Sequence, residues 1–71
     1  MPEAAVIDLR GLEPPEPIVR VFDTIAQGPG PHVFLLPRSP APLYTMLRRE
    51  GWRYSECLGT EGFEVTVWRE T

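Results

Sequence analysis

Asp8-Leu9-Arg10-Gly11-Leu12-Glu13-Pro14-Pro15-Glu16-Pro17 joins a short apolar run to an amphipathic one, and its reading decides the fold. Upstream, Ala4 to Leu9 reads as a strand, because Ala5, Val6, Ile7 and Leu9 form a nearly continuous apolar run that stops at Arg10-Gly11. Downstream, the prolines hold φ near the helical value, and Glu13 and Glu16 put negative charge where a helix macrodipole favours it. A helix is therefore expected to start here. From Ile18 the apolar residues Ile18, Val21, Phe22 and Ile25 follow helical spacing, with Arg20, Asp23, Thr24 and Gln27 mostly on the other side. Gly28-Pro29-Gly30-Pro31 closes that helix.

The same pattern then repeats in type. His32 to Leu36 is a run whose central residues are all apolar, which suits an interior strand, buried on both faces or nearly so. Pro37-Arg38-Ser39-Pro40-Ala41-Pro42 reads as a second strand-to-helix turn, with Ser39 as N-cap and Pro40 at the first helical position. Leu43, Met46 and Leu47 make the buried stripe of the second helix, Arg48 and Arg49 fall in its last turn, and Gly51 ends it. Trp52, directly after that glycine, is expected in the core. Trp52 to Leu58 and Phe63 to Arg69 read as a hairpin about Gly59-Thr60-Glu61-Gly62. In the last strand Phe63, Val65 and Val67 share one face, and Glu64, Thr66 and Trp68 share the other.

The order is β-α-β-α-β-β. Right-handed crossovers put both helices on one face of a mixed four-stranded sheet and leave the other face open, giving an α/β (α+β) two-layer sandwich in a single domain over residues 1–71. The core is small, since a chain of this size buries only about 60% of its unfolded surface. A net charge of -3 argues against direct nucleic-acid binding, which needs a surplus of gathered cations. All seven basic residues are arginines. No run is long enough to span a bilayer, Met1 to Ala4 carry no signal-peptide features, and the expected location is cytoplasmic. One cysteine, Cys57, excludes an intrachain disulfide and a cysteine-rich metal site.

Asp8, Arg10, Gly11, Leu12, Pro15 and Pro17 match a signature of roughly Asp-x-Arg-Gly-Leu-x-Cys-Pro-x-Pro, and in this the chain resembles the TusA/SirA family of sulfur carriers. The element order is also that family's. The resemblance implies a TusA/SirA-like fold in which the cysteine at the start of the first helix carries a persulfide. That position is Pro14 here, and proline offers no sulfur, so persulfide transfer at this site is excluded. The proline variant resembles a bacterial family of TusA-related domains of unknown function, in which Gly-Leu-x-Pro-Pro-Glu-Pro precedes the first helix. Those relatives often carry His-Asp-Arg where this chain has Leu36-Pro37-Arg38, so only the arginine is retained.

Arg10 and Arg38 each follow a strand and precede a helix, where open α/β sheets place ligands. With Gly11, Glu13, Glu16 and Ser39 they form the candidate site for a carboxylate, phosphate or sulfur oxyanion, or for an acidic patch on a partner. The bland alternative pairs Arg10 with Asp8 or Glu13 as structural support. Trp68 is the candidate for an exposed interaction face, which leaves room for a homodimer through the open side of the sheet. Cys57, in a strand, reads as a small half-buried hydrophobe. His32, without neighbouring ligand types, reads as structural. The expected function is non-catalytic binding of a partner protein or small anion, without a cofactor. The alternatives are a sulfur-relay protein using Cys57 and a redox or nitrogen-oxide-related accessory protein binding metal or haem.

Overall fold

A computed structural model describes residues 6–70. The elements run β1 (Val6–Asp8), α1 (Glu16–Ile25), β2 (His32–Leu36), α2 (Ala41–Arg49), β3 (Arg53–Gly59) and β4 (Gly62–Trp68). They build one mixed sheet in the order β1-β2-β4-β3, with β1 parallel to β2 and both other pairings antiparallel. Both β-α-β crossovers step the same way across the sheet, so crossovers of like hand set both helices on one face. The Ala4 and Ala5 end of the expected first strand lies outside the described residues. Leu9 follows β1 directly and extends its ladder, its amide donating to the Leu35 carbonyl at 2.9 Å.

The core lies between the helices and one sheet face. Phe34 and Leu36 from β2 and Val65 and Val67 from β4 meet Val21 and Ile25 of α1 and Leu43 and Leu47 of α2. The register explains the sidedness: Phe34 pairs with Val65, while Val33 pairs with Thr66 and Leu35 with Glu64 on the open face. Val33 and Leu35 are only half-buried, so β2 is interior in the sheet yet not fully covered on both sides.

Helix α1 starts later than the first proline, at Glu16, with Pro15 at its N-cap and Pro17 inside its first turn. In α2 the cap is Pro40, not Ser39, and no side chain caps the helix. The prolines at 40 and 42 both fit a helix start, and they set it at Ala41 without needing the serine. The buried stripe of α2 is Leu43, Tyr44 and Leu47, and Met46 stays exposed. Tyr44 takes the buried place because its ring stacks on Tyr54 of β3, with centroids 4.2 Å apart and planes 7° from parallel. At the other end of α2, Gly51 (φ +83°) donates to the Arg48 carbonyl and Trp52 to that of Leu47, a Schellman closure that turns Trp52 into the core.

Candidate functional site

The carboxyl ends of β1 and β2 bring the two strand-to-helix loops together. Between them lies a groove of about 420 Å³. Its walls hold Pro14, Pro15 and Pro17 from the first loop and Pro37, Pro40 and Pro42 from the second, six of the nine prolines in the chain. Leu12, Ile18 and Leu36 line it as well, and Arg38 and Ser39 complete it. Six of its eleven lining residues are prolines without an N–H, which makes this an apolar surface poor in main-chain donors.

The helix N-termini beside the groove have little left to offer an anion. The Glu16 amide donates to the Glu13 carbonyl at 2.8 Å, the Ile18 amide to that of Pro15 at 3.1 Å, and Pro17 has none. In α2 the Leu43 amide donates to the Pro40 carbonyl at 2.9 Å, and Pro42 again has none. The usual anion site at a helix start depends on free amides, most of which this arrangement consumes or removes, leaving that of Ala41 at the start of α2.

Of the residues singled out in the sequence, Arg38 and Ser39 line the groove, and the others stand apart from it. Arg10 turns the other way. Its Nε and Nη2 donate to the Asp8 carboxylate at 2.9 and 2.8 Å, and its Nη1 donates to the Glu61 carbonyl at 3.1 Å in the β3–β4 hairpin. The Arg10 amide also donates to Asp8, at 3.0 Å. The guanidinium, with help from that amide, holds the Asp8 carboxyl down at about 2. Arg10 therefore clamps the end of β1 to the hairpin tip. Gly11 lies in the turn behind it, Glu13 is exposed, and Glu16 faces Arg20 one helical turn on, at 3.8 Å. The Arg38 side chain, by contrast, is exposed and makes no hydrogen bond or ion pair among the described residues.

The family model described as an uncharacterized conserved protein (DUF2249) matches residues 6–69. The chain belongs to this family. No curated protein and no solved structure matches it. Membership in DUF2249 thus carries no activity with it, and the chemistry has to come from the side chains.

Behind the groove wall, Tyr44 is 8% exposed, and its hydroxyl is buried without a hydrogen-bond partner among the described residues. Burial, reinforced by the nearby Glu56 carboxylate, pushes its pKa up to about 12, although Glu56 and Ser39 stand near it without a bond of ordinary geometry. A second cleft, about 520 Å³, opens between the helices at the opposite end and is lined by Phe22, Glu50, Trp52 and Arg69. There the one cation is already engaged: the Arg69 guanidinium lies 4.2 Å over the Trp52 ring and donates to the Glu50 carbonyl.

Trp68 ends β4 on the open face, half-buried and opposite Arg53. Cys57 is exposed, contrary to the half-buried place expected for it. The reason is that β3 is an edge strand, and beyond Tyr54 its residues are all exposed. His32 is held by its own loop, its Nε2 bonded to the Gly28 carbonyl at 2.8 Å. Among the described residues no three His, Cys, Asp or Glu side chains gather as a metal ion requires, and no helix is long and apolar enough to cross a membrane. The proline groove is what sequence reasoning missed. Its signal lies in the clustering of prolines at both strand-to-helix junctions, which read in sequence as helix-starting residues and, at Pro14, as the carrier-cysteine position, but not as the walls of a groove.

Proposed function

We propose that this domain is a non-catalytic binding module, TusA-like in architecture, that receives a protein partner in the groove between its two strand-to-helix loops. The observation that carries this reading is the groove itself: apolar, proline-walled, with one unpaired cation at Arg38. A small anion is the weaker choice of ligand, because most of the amides that would hold it are bonded within the chain or replaced by proline, that of Ala41 being an exception. Kinship with sulfur carriers is part of the proposal and rests on the Asp8 to Pro17 motif together with the element order. Pro14, at the carrier-cysteine position, lines the groove, so a surface suited to chemistry in such relatives is suited here to contact.

A photoreactive benzophenone side chain placed at Pro37, or on the open face at Ser55, tests this in cells. Protein adducts are expected from position 37, and they should be depleted by Arg38→Ala. Adducts formed only from position 55 would move the function to the sheet face.

A second reading is favoured by one observation, the exposure of Cys57, which makes it available as a sulfur acceptor. Its cross-strand partner is Glu64, a carboxylate, whereas reactive cysteines stand in electropositive surroundings. Incubation with a persulfide donor and a cysteine desulfurase, followed by intact mass measurement, separates the two. No sulfur adduct is expected, and an adduct lost in Cys57→Ser would establish the relay.

A further inference from the structure

Resting on that docking reading, we infer that the occupant of the groove is a protein segment presenting an aromatic side chain close to a carboxylate. The groove disfavours strand addition first. A strand adding to a sheet edge needs alternating main-chain donors and acceptors, and six of the lining residues have no N–H. Affinity must therefore come from side chains. Proline rings offer flat saturated C–H faces, the complement of an aromatic π face, and aromatic side chains bring the largest apolar area per residue at little cost in side-chain entropy. A space of about 420 Å³ also exceeds what a single small aliphatic side chain would fill.

The charge of the occupant follows from Arg38. Every charged contact near the first loop is internal: Arg10 to Asp8 and Glu61, and Glu16 to Arg20. Arg38 alone among the lining residues is charged, and it is unpaired. Its planar fork suits a carboxylate, which would sit at the rim while the ring enters the groove. The net charge of -3 on the chain opposes a broadly acidic partner, so the inference is of a single well-placed carboxylate beside a ring.

Panning a random dodecapeptide phage library on the immobilised full chain tests this, with the best peptide then titrated into isotope-labelled protein. Enriched peptides are expected to share an aromatic residue with Asp or Glu a few positions away on either side, and to perturb the amides of Leu12, Ile18, Leu36, Arg38 and Ser39. Arg38→Gln should weaken the peptide roughly threefold, as a rim ion pair allows. It should not weaken a version of the peptide whose acid is replaced by its amide. Groove-binding peptides that lack the ring or the acid overturn this inference and leave docking at the groove standing. Peptides that map to the open sheet face, or no enrichment at all, overturn both.

Discussion

Asp8, Tyr44 and Arg38 show three different fates for a polar side chain in a small domain. Asp8 is bonded to Arg10 from side chain and main chain, and its folded-state pKa of about 2 lies below the ordinary 3.8. Folding thus favours the ionised form, so this contribution is complete above about pH 4 and is lost as pH falls toward 2. The urea midpoint should drop across that window, and the drop should shrink in Asp8→Asn. Tyr44 is the reverse case, a buried hydroxyl without a partner, and such a group costs about 1–3 kcal/mol. Tyr44→Phe should leave the Tyr54 stack in place and raise stability by roughly 1 kcal/mol, read as a higher melting temperature. A lower one would mean that the hydroxyl is bonded to Glu56 or Ser39 after all. Arg38 touches nothing charged, so Arg38→Ala should change stability by less than about 0.5 kcal/mol while weakening partner binding. An unfolded product would make the arginine structural.

At the scale of elements, Gly51 and Gly62 set the ends of α2 and of the hairpin, for unequal reasons. A side chain at Gly51 would meet no atom within 4 Å and suffers only the strain of φ +83°, so Gly51→Ala should cost about 1 kcal/mol. At Gly62 the added carbon would stand 2.5 Å from the Leu36 carbonyl oxygen at φ +137°, so Gly62→Ala should cost distinctly more. Denaturation of the two variants side by side checks the order. Both glycines were legible as punctuation, and so were β2 to the residue, the α1 stripe and the alternation of β4. What could not be read were choices made by neighbours. Leu43 and Leu47 leave room beside them for Tyr44 or Met46, and it is the position of Tyr54 that decides. Cys57 is exposed because it stands on the open face of an edge strand, opposite Glu64, a placement that no local pattern encodes. The candidate site is half legible in the sequence: both loops fall at the carboxyl ends of β1 and β2, and of the two readings of Arg10 the structure bears out its pairing with Asp8, which leaves Arg38 alone at the groove.

For the whole molecule, a stability of roughly 4–11 kcal/mol is what a chain of this length supports. The fully buried Phe34 sits in the middle strand pair of that core. Phe34→Ala should remove about 3–5 kcal/mol and lower the melting temperature by roughly 15 °C or more, a change that calorimetry or circular dichroism will register. Such a narrow margin leaves little free energy for ordering loops when something binds. The proline walls bear on this directly. Six rings have their φ torsions set before any contact is made, so occupation freezes little further backbone motion. In a calorimeter, the complex should show a negative heat-capacity change from the apolar area covered, without the large entropic penalty of a segment that folds as it binds.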